Sequence, residues 1–145
     1  MNKILIMCIG NRDGGDDSVG PYIADKLKNT DINFIDCATV PENYTSVVKK
    51  NKPETLIIID AAEMGLKAGE IRNIAKEKIG VMHISTHNIP VSVLINYLKQ
   101  YVKKIIFIGI QPENMSGSMS DKVKKSAEIL IKIIQENNFK KIKKL

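Results

Sequence analysis

Three unbroken apolar runs, at residues 4–9 (ILIMCI), 56–59 (LIII) and 105–110 (IIFIGI), limit what this chain can fold into more than any other feature. A strand with one wet face alternates apolar and polar residues, so a run without alternation belongs to a strand covered on both faces. None of the runs approaches the ~20 apolar residues of a membrane-spanning helix, and no membrane partner is expected. Each run stops abruptly: the first at Gly10, the second at Asp60, the third at Gln111-Pro112.

Helical periodicity fills the space between them. Val19, Ile23, Ala24 and Leu27 recur at helical spacing from Asp17 onward, and Pro41 introduces a helix through Lys50 that Asn51-Lys52-Pro53 breaks. Pro90 opens a helix carrying Val91, Leu94, Ile95 and Leu98 on one side. Ser120 caps a last helix whose stripe is Val123, Ala127, Leu130, Ile131 and Ile134. Residues 32–36 read as a short second strand and residues 69–74 as an edge strand, with a loop rich in Met, His, Ser and Thr following. Strands and helices alternate through connections too long for hairpins. The expected fold is therefore α/β, a three-layer α/β/α arrangement with a mainly parallel twisted sheet of about five strands. With 145 residues and 43% hydrophobic content there is core for one domain, assigned to residues 1–138, and a basic C-terminal tail at 139–145.

In such sheets ligands bind outside the carboxyl ends of the strands, where strand order reverses. Three polar residues follow directly from the ends of predicted elements: Asp17 after the first strand, Asp60 closing the central strand, and His87 before the helix that Pro90 opens. Each has a local structural explanation, Asp17 as a helix cap, Asp60 as a turn cap and His87 as a hydrogen-bonded loop residue. Together they form a mixed oxygen and nitrogen ligand set with open positions, suited to a borderline divalent ion such as Ni²⁺ or Zn²⁺. Such an ion polarises a scissile carbonyl or lowers the pKa of a bound water, so hydrolysis needs no Ser or Cys nucleophile. No Gly-x-Ser-x-Gly elbow is present to expose a serine. The loop Gly10-Asn11-Arg12-Asp13-Gly14-Gly15-Asp16-Asp17 matches neither Gly-x-Gly-x-x-Gly nor a P-loop, and its three aspartates repel phosphate.

The ordered series Ile9-Gly10-Asn11, Gly15-Asp16-Asp17 with Val19-Gly20-Pro21, Pro41-Glu42-Asn43 and Ile58-Ile59-Asp60-Ala61 resembles the hydrogenase maturation endopeptidases. The likeness continues through Met64-Gly65-Leu66, Gly69-Glu70-Ile71-Arg72, Thr86-His87-Asn88-Ile89-Pro90 and Ile108-Gly109-Ile110-Gln111-Pro112, and is closest to the hydrogenase 3 (formate hydrogenlyase) branch. The resemblance implies an aspartyl-type endopeptidase that removes the C-terminal peptide from the large-subunit precursor of a nickel-iron hydrogenase. It implies Asp17, Asp60 and His87 as catalytic and metal-contacting residues, with nickel carried by the substrate and Cd or Zn able to replace it in crystals. Asp36, Asp16 and Asn11 are implied as substrate-recognition residues. The chain departs from the pattern at Ser18, where the family usually has Gly, at Asp13, usually apolar, and at Cys37-Ala38, usually Gly-Gly.

Cys8 and Cys37 lie in apolar stretches without metal or redox spacing, and no cleavage site follows the N-terminal run, so a cytoplasmic monomer is expected. Of the net charge of +6, residues 121–145 carry +5, from eight lysines against Asp121, Glu128 and Glu136. This places the excess on the last helix and a solvated, partly frayed tail. No nucleic-acid reader motif accompanies it, and no nucleic-acid partner is expected. Two rival readings are a non-catalytic nickel-dependent checkpoint or chaperone for the precursor, and a small nucleotide-binding α/β protein.

Overall fold

A computed structural model describes residues 3–80 and 89–145. The three apolar runs form β1 (Ile4–Ile9), β3 (Thr55–Ala61) and β5 (Lys104–Ile110), joined by β2 (Asn33–Ala38) and the three-residue β4 (Ile71–Asn73) in one sheet of order β2-β1-β3-β5-β4. All pairings are parallel except β4 with β5, which is antiparallel. The expected mainly parallel sheet of about five strands is thus present. From β1 the chain moves outward to β2, then returns past β1 to β3, so the reversal of strand order falls between β1 and β3.

Helices cover both faces. On one, α1 (Val19–Leu27) and α5 (Asp121–Glu136) pack on Ile6, Cys8, Ile57, Ile59 and Ile108. On the other, α2 (Thr45–Asn51), α3 (Lys76–Ile79) and α4 (Val91–Leu98) contribute Val48, Ile79 and Leu94 against Met7, Ile9, Ile58 and Phe107. This double cover is why the three runs show no alternation. Among the described residues no helix is long and apolar enough to cross a membrane.

Local chemistry explains most boundaries. Ser120 caps α5 as expected, its Oγ accepting from the Val123 amide. The helix expected from Pro41 is divided: Pro41–Tyr44 is a 3-10 turn, and the non-helical backbone of Tyr44 (φ −114°, ψ 9°) separates it from α2. The helix expected from Asp17 starts only at Val19, after a 3-10 turn over Gly15–Ser18. α3 falls in a stretch read from sequence as loop.

The tail is docked rather than frayed. After a 3-10 turn at Phe139–Lys141, the Asn73 amide donates to the Lys143 carbonyl (2.8 Å) and the Leu145 amide to the Asn73 carbonyl (3.0 Å). Ile142, only 8% exposed, joins the α1/α5 core, and Leu145 packs against the opposite one. The lysines occupy the intervening positions and keep their charges in water. Ile142→Ala is expected to cost about 2–4 kcal/mol, measured as a lower urea midpoint at unchanged slope.

Candidate functional site

The carboxyl edge of the sheet at the β1/β3 reversal is built by two segments. β1 runs straight into the loop at Gly10, and the 3-10 turn Gly15–Ser18 folds back against β3. Missing side chains permit that fold: a Cβ on Gly10 would lie 2.0 Å from the Asp17 carbonyl oxygen, and one on Gly20 would lie 2.1 Å from the Ile9 carbonyl oxygen. Ser18, where glycine would be usual, closes the turn by donating from its hydroxyl to the Gly15 carbonyl (2.6 Å).

Asp17 is 5% exposed and does not cap α1; the cap position is Ser18. Its Oδ2 instead accepts the Asn11 amide (3.0 Å), which turns the carboxylate back over the end of β1. Asn11 also holds the loop, its Oδ1 accepting the Asp13 amide (2.9 Å). Asp60 is fully buried near the end of β3. The alternation of β3 puts it on the side of Leu56 and Ile58, the face covered by α2, α3 and α4. Its partner in the adjacent strand is Gly109, which presents no side chain beside the carboxylate. Asp17 and Asp60 thus flank the strand-order reversal from its two sides. His87 lies outside the described residues, and among those described no group of three His, Cys, Asp or Glu side chains forms a metal site.

Asp16 points elsewhere and is fully buried. Its Oδ2 accepts the amides of Glu113 (2.7 Å) and Asn114 (3.0 Å) and the Ser120 hydroxyl (2.9 Å), while Oδ1 accepts the Ser120 amide (2.6 Å). Burial pushes this carboxyl up, but the donors from Asn114, Ser120 and Glu113 outweigh it and hold the group below the usual carboxylate range. Adjacent aspartates therefore differ in geometry: Asp17 faces the sheet edge, and Asp16 ties the glycine loop to the start of α5.

Asp36 stands on the opposite face of the sheet from Asp60. Phe34 packs with the α1/α5 core while Ile35 and Cys37 pack with the other, so the alternation of β2 puts Asp36 on the α1 side. There Arg12 bridges it (2.5 Å) to Asp25 of α1 (2.8 and 2.9 Å). The Arg12 hydrogen bonds hold the Asp25 carboxyl below its ordinary range. Arg12 is about half exposed, so this triad contributes little to folding. Arg12→Ala is expected to change stability by less than ~1 kcal/mol while raising the Asp25 pKa toward its normal value, followed by NMR titration.

Gln111 is a buried support that sequence reasoning did not single out by role. Its Oε1 accepts the amides of Met64 (2.7 Å) and Leu66 (3.2 Å) and its Nε2 donates to Glu63 (2.6 Å), fixing the turn that leaves β3 just beyond Asp60. A glutamine between an apolar strand and a proline was the available signal. Two buried carboxyl groups thus stand at the reversal of a doubly wound sheet, the place where such sheets bind ligands, and offer oxygen donors there.

Comparison with known proteins agrees with that architecture. Residues 20–137 match the family model of the hydrogenase maturation proteases. The hydrogenase 3 maturation protease of Escherichia coli K12 is 39% identical over 113 residues, covering 75% of this chain and 72% of the relative. Among solved structures, the solution structure of the endopeptidase HycI from Escherichia coli superposes with a TM-score of 0.86 at 34% identity, covering 92% of this chain and 90% of that one. The crystal structure of the NiFe hydrogenase maturation protease HycI from Thermococcus kodakarensis KOD1 gives 0.82 at 30% identity, with 93% and 91% covered. The chain belongs to the hydrogenase maturation protease family, and its activity is that of an endopeptidase.

Proposed function

We propose that this chain removes the C-terminal peptide from the nickel-loaded large-subunit precursor of a nickel-iron hydrogenase, and that Asp17, Asp60 and His87 hold the precursor's nickel while it does so. The observation that carries the reading is the pair of buried carboxylates, Asp17 and Asp60, on the two sides of the strand-order reversal in a member of this family. Two carboxylates and an imidazole suit a borderline divalent ion, and a site made of them leaves positions for the ligands the precursor brings. Held there, nickel fixes the scissile segment against the loop of residues 11–16 and supplies Lewis acidity to the carbonyl or to a water. Asn11 then orients Asp17, and Asp16 keeps the loop in register with α5. Zn²⁺ or Cd²⁺ would enter the same position in crystals.

A cytoplasmic monomer completes the reading; the two free, buried thiols, Cys8 and Cys37, support the reducing compartment. The test is incubation of the protein with precursor in nickel-loaded and nickel-free forms, followed by mass spectrometry. The precursor is expected to lose the mass of a C-terminal peptide only when loaded. Binding without any change in mass would instead identify a checkpoint, and equal shortening without nickel would remove the ion from the reaction.

A further inference from the structure

Gln111 is only 3% exposed and grips the connection between β3 and β4 at both ends. Its side chain accepts the Met64 and Leu66 amides near the start of that segment. Its main chain clips the other end: the Gly69 amide donates to the Gln111 carbonyl (2.8 Å), and the Gln111 amide donates to the Glu70 carbonyl (2.9 Å). Glu63 closes the turn from within, its Oε2 accepting both the Gln111 side-chain amide (2.6 Å) and the Gly65 amide (3.1 Å). Glu63, Gly65 and Lys67 are exposed, so apolar burial does little to hold this turn. Its shape depends on those hydrogen bonds.

One side chain of the turn reaches inward, Met64, which packs against the core that contains Ala62 and Ile74. Gly109 is the partner of Asp60 in the adjacent strand, and paired residues of neighbouring strands share a face. The space that Gly109 leaves beside Asp60 is already taken. A Cβ at this glycine would lie 2.7 Å from Ile74 Cδ1 and 2.9 Å from Ala62 Cβ, with Met64 Sδ 3.4 Å from the same point. These three apolar groups wall the β5 side of Asp60. Ala62 and Ile74 are buried, and their amides are bonded to the carbonyls of Ile110 and Phe107 in β5. Met64 is half-buried and hangs from the exposed turn, so it is the member of the wall whose place depends on Gln111.

We propose that Gln111 is a positioning residue for the reaction: it sets the turn that carries Met64, and Met64 closes the β5 side of Asp60, so that the carboxylate is presented to the precursor's nickel in one fixed, water-shielded placement. Residues that orient a metal-binding side chain from outside are commonly worth about tenfold to a hundredfold in affinity or activity. The role of Gln111 in the reaction rests on the nickel-site reading above; its geometry does not.

The experiment compares the wild-type chain with Gln111→Met, Met64→Ala, the two combined, Gln111→Glu, and Gln111→Glu combined with Glu63→Gln. Shortening of the nickel-loaded precursor is followed by mass spectrometry, binding of loaded and nickel-free precursor by calorimetry, and the Met64 methyl group by NMR, all below the thermal unfolding of each variant. Gln111→Met keeps the side chain's length but offers the two amides no carbonyl oxygen. It is expected to slow shortening about tenfold to a hundredfold, to shift the Met64 methyl signal and to weaken binding of the loaded precursor alone. Met64→Ala is expected to show the same loss, and the combination no further loss. Gln111→Glu sets two carboxylates against each other and should lose rate. Adding Glu63→Gln returns an acceptor for both amides and a donor between the side chains, and should restore both rate and methyl signal. A turn with a purely structural role would weaken binding of loaded and nickel-free precursor alike, and that result would overturn the proposal. So would a wild-type rate in Met64→Ala, or a reciprocal pair no better than Gln111→Glu alone. Should Gln111→Met fail to fold, Met64→Ala and the reciprocal pair decide the matter. Full activity in Asp60→Asn would remove the nickel assignment, and coupled losses in Gln111→Met and Met64→Ala would then still assign the turn a part in the reaction.

Discussion

Asp60→Asn is expected to slow shortening of the nickel-loaded precursor by at least about a hundredfold, with the fold intact. The side chain keeps its volume and the strand pairing with Gly109 is a backbone matter, so far- and near-ultraviolet circular dichroism should match wild type. What is lost is one of the two carboxylates proposed to hold the precursor's nickel, and an amide oxygen is a much weaker ligand for such an ion. Asp17→Asn should do the same from the other side, because its Oδ2 is already oriented by the Asn11 amide. His87→Ala is the third member of this set. If any of the three variants cuts at the wild-type rate, the ligand assignment is wrong. A decisive complement is direct titration: the nickel-loaded precursor should bind each variant more weakly, whereas a nickel-free precursor should not distinguish them from wild type.

Asp16→Ala is expected to produce a large loss of stability, about 3–5 kcal/mol. The carboxylate receives three backbone amides and one hydroxyl in full burial, so its removal leaves the Glu113, Asn114 and Ser120 amides without their acceptor. The same group predicts an acid dependence. Its pKa is lowered in the folded state, so its contribution is fully present above the ordinary aspartate value of ~3.9 and is lost as pH falls through the lowered folded value. Urea midpoints for wild type should therefore drop below about pH 4, and the part due to this residue should be absent from the Asp16→Ala profile. A stability change under ~1 kcal/mol would show that solvent replaces the carboxylate.

The contrast between adjacent aspartates shows how far the sequence can be read. Asp16 and Asp17 look equivalent in a Gly-Gly-Asp-Asp loop, and Asp17 and Asp60 stand out only because each follows a strand that double burial makes recognisable. Strand identity, parallel connection and carboxyl-edge placement are local or topological, and they were legible. Which partner each acid meets was not. Asp16 is bonded to residues about a hundred positions later, and no periodicity encodes that distance. The separation of Asp36 from Asp60 depends on which helix covers which face, and alternation along β2 reveals parity without naming the cover. The tail failed for a simpler reason: the lysines dominate its composition, while Ile142 and Leu145, three apart, are the residues that dock.

That docking completes the border of the sheet. β4 pairs with β5 on one side and with Lys143 and Leu145 on the other, so the outer flank of the shortest strand does not offer a bare ladder of amides and carbonyls to another molecule. Exposed strand flanks are templates for intermolecular β-pairing and aggregation. A C-terminal affinity tag fused at Leu145 begins at this seam, whereas deletion of the last four residues would uncover it. The few apolar side chains among the final lysines thus close that flank of the sheet, well away from the edge where Asp17 and Asp60 stand.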